Sequence, residues 1–345
     1  MEKDRFFEAL KQIPKAEIHL HLEDFLAGEA ATEEKLEDLS KFCEVFRSVQ
    51  DSLRSVEDLE VAFRNLVNYM NQNGIAYAEV FFSPGRFLRG GWQYAEMVKF
   101  IESQLKNAKS KYSLIIKLIV DVSRSHGVDK ANAVLTDIIN NPSKDIIGIG
   151  LGGDEKIGPA RDYVDLFVKA RKSGLRTVAH AGESAEPQSI IDAIKLLKAE
   201  RIGHGTSAIM DKATMDMLVK KQIPVEIQPT SNVVTGHFVK DMKKHPIKTF
   251  LEQGAFVTLN TDDPNLFNTS LIEEYWKLYS EVKLNYDDLY QIIVNGFKAS
   301  FLVEEKKKDY ITKVNKKWNR QLKLNERQYA PWQTNLKAVF EGRDY

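Results

Sequence analysis

Short apolar runs alternate along this chain with longer segments of helical period. The runs cover residues 17–22, 77–83, 113–120, 146–150, 177–181, 200–203, 224–227 and 256–260. Most are rich in Val, Ile and Phe, and several are nearly continuous in apolar character. Such strands suit a parallel sheet covered on both faces. Between them, residues 56–73 place Leu59, Phe63, Leu66, Val67 and Met70 on one helical face, with Gly74 positioned to end the helix. Residues 161–172 repeat the pattern through Tyr163, Leu166, Phe167 and Ala170, and Gly174 follows. Segments 186–198, 211–220 and 268–281 continue the alternation. Eight strands alternating with helices predict a (β/α)₈ TIM barrel. Residues 23–76 are more than one crossover requires. They predict an extra helix over 33–49, carrying Leu36, Leu39, Phe42 and Phe46. Helical stretches at 286–301 and 306–320 follow the eighth strand. The expectation is one barrel domain over 1–345, with extra helices after strand 1 and at the C-terminus.

Composition narrows the function. The 345 residues include 49 Lys+Arg and 49 Asp+Glu, a formal charge of zero, which argues against a general polyanion binder. The basic stretch 306–317 reads as a solvated helix face. Cys43 is the single cysteine. It excludes an internal disulfide and a multi-thiolate metal site, and it suggests a reducing compartment. Residues 1–10 mix charges early, with no apolar stretch of a signal peptide. No run approaches 18 apolar residues. These features predict a cytoplasmic protein with no nucleic-acid and no membrane partner.

The histidines carry the chemistry. His19 and His21 sit near the end of the first strand, where positions i and i+2 point the same way. His180 ends the fifth strand, His204 follows the sixth, and Asp262 and Asp263 follow the eighth. In a barrel these ends open on one face, where active sites lie. Three imidazoles and a carboxylate, from His19, His21, His180 and Asp262, suit one zinc ion with a place left for water. Zinc lowers the pKa of bound water from 15.7 to about 7. Glu183 and His204 are then free for proton transfer. The fourth strand runs into Gly150-Leu151-Gly152-Gly153, with no lysine to bridge a second metal. A turn alone could explain Asp262-Asp263-Pro264. It does not explain why all these groups arrive at strand ends in sequence order. His126, His237 and His245 read as loop or surface residues, and Cys43 as a small packing residue.

Six segments together resemble the adenosine deaminase family of zinc-dependent purine deaminases. They are Pro14-Lys15-Ala16-Glu17-Ile18-His19-Leu20-His21-Leu22, Leu151-Gly152-Gly153-Asp154-Glu155, His180-Ala181-Gly182-Glu183, Arg201-Ile202-Gly203-His204-Gly205, Ser231-Asn232-Val233-Val234-Thr235-Gly236 and Thr261-Asp262-Asp263-Pro264. The resemblance covers roughly residues 10–300. It implies the barrel fold and one zinc on His19, His21, His180 and Asp262. It makes Glu183 the proton donor to purine N1, and His204 the residue that activates or orients the attacking water. It places His21, Glu23, Gly153 and Asp263 around the substrate, with Asp263 at N7 and the Gly153 backbone at N3. The implied reaction replaces the 6-amino group of a purine by oxygen and releases ammonia.

Departures bear on the substrate. The common pattern His-Leu-Asp-Gly is here His21-Leu22-Glu23-Asp24. The family aspartate contacts the ribose 5′-hydroxyl, and adenine deaminases often carry glutamate there. Ser231–Gly236 looks like the nucleoside type. The expected substrates are adenosine and deoxyadenosine. The alternatives are adenine or a 5′-modified adenosine: methylthioadenosine, aminodeoxyfutalosine or an AMP derivative. Phe81 stands where relatives usually have arginine. Leu39, Phe42 and Phe46 supply either a hydrophobic gate or a core-facing stripe. Three rival readings are weaker. Gly148-Ile149-Gly150-Leu151-Gly152-Gly153 has dinucleotide-fingerprint spacing. However, Pro159 precedes the next helix, and Gly174 stands where an acidic ribose partner is expected. A nucleic-acid base deaminase needs a Pro-Cys-x-x-Cys element, which one cysteine forbids. A non-catalytic, growth-factor-like relative would not need the complete set of catalytic groups.

Overall fold

The computed structural model describes residues 2–27, 39–85 and 91–323. Its strands are β1 (Lys15–His21), β2 (Ile75–Phe82), β3 (Ile115–Ser123), β4 (Ile146–Gly152), β5 (Arg176–Ala181), β6 (Arg201–His204), β7 (Val225–Ile227) and β8 (Val257–Leu259). They form one sheet in sequential order, each strand parallel to the next. Between β8 and β1 the seam closes through a single bridge, Leu20 to Asp262. Side chains complete it. The Ile18 N–H donates to Asn260 Oδ1 at 2.9 Å, and the Thr261 N–H donates to Glu17 Oε1 at 2.9 Å. The protein is a (β/α)₈ barrel, as the apolar alternation predicts.

The helices are α1 (Lys3–Lys11), α2 (Leu39–Ser52), α3 (Val56–Asn73), α4 (Tyr94–Tyr112), α5 (Gly127–Asn140), α6 (Val164–Lys172), α7 (Gln188–Asp192), α8 (Lys212–Lys221), α9 (Pro229–Thr235), α10 (Ile247–Glu252), α11 (Leu271–Ser280), α12 (Tyr286–Ala299) and α13 (Glu304–Trp318). α3 has the bounds its periodicity predicts. Ser55 and Asp58 form a capping box at its start, and Gly74 ends it at φ +65°. The extra helix predicted over 33–49 corresponds to α2, but residues 33–38, with Leu36, lie outside the described residues. The third strand begins two residues later than predicted. Ser113 caps α4 in the left-handed region, which stops the strand from starting there. It also runs on to Ser123, carrying the polar Asp121 to the barrel mouth. The glycines 148–153 lie in β4 and the turn after it, and open no helix. On α13 only Tyr310, Val314 and Trp318 are buried, so its lysines face solvent. No helix among the described residues is long and apolar enough to cross a membrane.

The main core lies between the strands and the helix ring. A smaller cluster inside the barrel contains Phe81, Ile119 and Val178. A third joins Leu39 and Phe42 of α2 to Leu266 and Phe267, and seats α2 over the barrel mouth.

Candidate active site

The strand ends bring together the groups that the sequence singles out. His19 Nε2 lies 3.1 Å from His180 Nε2 and 3.4 Å from Asp262 Oδ1. His21 Nδ1 lies 3.3 Å from the same Asp262 oxygen and 3.1 Å from Asp263 Oδ2. His204 Nε2 is 3.6 Å from Glu183 Oε2 and 3.9 Å from Asp262 Oδ2. All are buried. One tight donor group is His19, His180, His204 and Asp262, and a second is His21, Asp262 and Asp263. Asp262 belongs to both. Its Oδ1 has no hydrogen-bond partner, nor does His180 Nδ1. Buried nitrogens this close, beside an unsatisfied carboxylate oxygen, fit a shared cation.

Backbone geometry serves this cluster. His204 and Asp262 hold φ +63° and +68°, which non-glycine residues rarely adopt. Gly203 makes room for His19: a Cβ there would stand 2.7 Å from His19 Cε1. Phe81 forms an apolar floor, its ring centroid 4.7 Å from that of His19, 5.3 Å from His21 and 5.4 Å from His180.

Three supporting groups escaped the sequence reading. His19 Nδ1 pairs with Glu226 Oε2 at 2.7 Å, Glu226 accepts from Arg201, and Arg201 Nη1 donates to Glu79 Oε2 at 2.6 Å. Arg201 and His19 outweigh burial and hold Glu226 below the ordinary carboxylate range. A buried carboxylate on a ligand's Nδ1 orients the ring and leaves Nε2 for the metal. The available signal was an acid inside an otherwise apolar strand, Glu79 in β2 and Glu226 in β7.

The second supporting group is Glu155. Its carboxylate accepts the backbone N–H groups of Gly182, Glu183 and Ser184 at 2.8–3.0 Å. It thereby fixes the turn that presents Glu183. Arg124 braces the same turn, donating to the carbonyls of His180, Leu151 and Gly158. Burial raises the Glu183 carboxyl well above its ordinary value, and the nearby charges of Asp262 and Glu155 raise it further.

The third group is His245. Expected at a loop or surface, it is buried and bonded to Asn232, which in turn contacts His204. No sequence spacing announces that contact. His237 is exposed, as read, whereas His126 borders the active-site cavity.

The cavity above the cluster encloses about 640 Å³ of space open to solvent. Its base is His21, His180, Glu183, His204, Asp262 and Asp263, and α2 covers it with Leu39, Phe42 and Phe46. Phe46 stands 5.4 Å from the His21 ring. Gly153 also borders the cavity. Glu23 does not. Its Oε1 accepts from the Ser83 N–H at 2.8 Å, and its buried Oε2 has no partner. Asp24 accepts from the Asn265 and Leu266 N–H groups and anchors the loop after Asp263. Cys43 lines the α2 side, and burial pushes its thiol up to about 12. That leaves no thiolate for nucleophilic attack.

A (β/α)₈ barrel with a buried imidazole–carboxylate cluster at the C-terminal ends of its strands can hold a metal ion that activates water for hydrolysis. Residues 24–317 match the adenosine deaminase family. An adenine deaminase from Crocosphaera subtropica is 33% identical over 88% of this chain and 98% of its own length. An aminodeoxyfutalosine deaminase from Streptomyces avermitilis is 33% identical over 77% of this chain and 74% of its own. Among solved structures, adenine deaminase from Arthrobacter aurescens superposes with a TM-score of 0.83. It is 26% identical and covers 89% of this chain and 99% of that one. The chain belongs to the adenosine deaminase family, and it is a deaminase of adenine- or adenosine-type substrates.

Proposed function

We propose that this enzyme hydrolyses the 6-amino group of a purine nucleoside, converting adenosine or deoxyadenosine to the 6-oxopurine nucleoside and ammonia. One zinc ion is held by His19, His21, His180 and Asp262. The observation that carries the reading is the meeting of these four residues with Glu183, His204 and Asp263 in one buried mouth. Three imidazoles and one carboxylate are a donor set suited to zinc. Bound there, the ion supplies Lewis acidity and an activated water at neutral pH.

The protein's own groups do the rest. Attack at C6 breaks the aromaticity of the six-membered ring and pushes an electron pair onto N1, so N1 takes up a proton as the tetrahedral carbon forms. Burial raises the Glu183 carboxyl well above its ordinary value, which suits the side chain to act as the general acid that supplies this proton. His204 Nε2 lies 3.6 Å from Glu183 Oε2 and 3.9 Å from Asp262 Oδ2, within reach of a water attacking C6. Burial pushes the Asp263 carboxyl up to about 6, and its Oδ1 has no partner. That free oxygen makes Asp263 the contact to N7. The Gly153 N–H donates to N3, and the missing side chain lets the ring approach.

The outer cavity favours a nucleoside over a free base. Arg47, Gln50, Ser123, Ser125 and His126 give the cavity polar walls that a ribose could use. A Cβ on Gly153 would stand 2.9 Å from Ser123 Oγ, so the N3 edge, which also carries N9, faces these polar groups. A 5′-modified adenosine is the second reading. A largely apolar compartment lined by Val122, Ala131 and Val134 shares Ser83, Asp121, Ser123 and His126 with the main cavity. The test is ammonia release from adenosine, deoxyadenosine, adenine, methylthioadenosine and AMP. Adenosine is expected to exceed adenine at least tenfold in kcat/KM. Preference for adenine would overturn the nucleoside assignment and leave the deaminase chemistry standing.

A further inference from the structure

A buried chain of hydrogen bonds runs from the backbone to His204. The Ile247 N–H donates to His245 Nδ1 at 3.1 Å. His245 Nε2 lies 3.3 Å from Asn232 Oδ1, and Asn232 Nδ2 lies 3.0 Å from His204 Nδ1. All three side chains are at most 3% exposed.

Donor and acceptor roles along this chain leave no freedom. A backbone N–H can only donate, so His245 Nδ1 is the acceptor. A neutral imidazole accepting at Nδ1 carries its proton on Nε2. Burial pushes His245 down to about 3, so the ring is neutral at working pH. His245 Nε2–H therefore donates to Asn232 Oδ1. That fixes the amide orientation and aims Nδ2–H at His204 Nδ1. His204 must accept there, and its single proton sits on Nε2.

We propose that His245 and Asn232 are positioning residues that set the tautomer of His204. The consequence concerns the metal site. His204 belongs to the donor group formed with His19, His180 and Asp262, and its Nε2 lies 3.9 Å from Asp262 Oδ2. With a proton on that nitrogen, His204 has no lone pair for the metal. It acts as a hydrogen-bond donor toward the attacking water, and the third imidazole ligand falls to His21. The relay thus separates ligand from donor among four neighbouring histidines.

The catalytic part rests on the proposed role of His204, whereas the tautomer can be read independently of turnover. The test uses ¹⁵N-histidine-labelled, metal-loaded enzyme, with the His204 signals assigned by comparison with His204→Ala. Wild type should show a protonated Nε2 and a bare Nδ1. His245→Leu frees Asn232 to turn and should move the proton to Nδ1. With it, kcat should fall about 10- to 100-fold, KM should stay within about threefold, and metal content should be unchanged. His245→Gln can accept from Ile247 and donate to Asn232, so it should restore both spectrum and kcat. If His245→Leu does not fold, Asn232→Asp replaces it. A carboxylate facing Nδ1 demands a proton there. An unchanged His204 spectrum in either variant, or equal losses in His245→Leu and His245→Gln, would overturn the relay. A shifted tautomer with normal kcat would instead overturn the role of His204.

Discussion

His204 and Asp262 sit in the left-handed backbone region, a conformation that costs non-glycine residues about 1–3 kcal/mol each. Their surroundings hold them there. Asp262 exchanges backbone hydrogen bonds with His19 and His21, and Ser231 Oγ donates to its Oδ2 at 2.7 Å. The strain aims both side chains across the mouth toward residues from other strands. Glu183 shows the same economy of position. Its backbone is fixed by Glu155, while burial and the facing charge of Asp262 raise its carboxyl well above the ordinary value. Glu183→Gln keeps the shape and the metal but cannot release a proton. Turnover is expected to fall about 10²- to 10⁴-fold with metal content unchanged. Near-normal kcat in the metal-loaded variant would remove Glu183 from the reaction.

At the scale of elements, β1 does the most varied work. Its C-terminal end supplies His19 and His21, and Glu17 anchors Thr261 next to Asp262. Its first residue, Lys15, is fully buried and donates to the carbonyls of Leu10 and Ile13, tying the strand to the end of α1. Burial lowers this lysine from 10.5 to about 7. Between those values the unfolded chain binds a proton that the folded chain does not, so stability gained from this group rises with pH. It is complete above about 10.5 and lost as pH falls to about 7, with an upper slope of about 1.4 kcal/mol per pH unit. Urea unfolding of wild type and Lys15→Met at pH 7, 8 and 9 should show the difference growing in favour of wild type. A constant difference would mean that Lys15 stays charged in the fold. α2 stands in contrast. It rests on a small separate cluster with Leu266 and Phe267, and Phe42 stacks 4.9 Å from Phe267. The apolar stripe read in the sequence is therefore the wall of the cavity and the seat of the helix at once.

For the whole molecule, the barrel gathers β1, β5, β6 and the loop after β8 around one point. The site ties distant parts of the chain together, so metal binding should stabilise the fold. Saturation at 100-fold over Kd adds about 2.7 kcal/mol, a few degrees in Tm for a chain of this size. Calorimetry before and after exhaustive chelation should show that loss, with zinc restoring it. An unchanged Tm would mean that the cluster holds no structural ion. The alternation of apolar runs and helical periods by itself determined the barrel, because buried parallel strands and amphipathic helices leave different periods in the chain. It also determined the mouth residues His19, His21, His180, Glu183, His204, Asp262 and Asp263, because strand ends of a barrel share one face. Only the tertiary structure decided that Glu226 and Glu155 support His19 and Glu183, that Glu23 accepts from the Ser83 N–H, and that His245 reaches His204 through Asn232. Those relations depend on distances across the sheet and on which donor meets which acceptor, and a one-dimensional pattern carries no record of either.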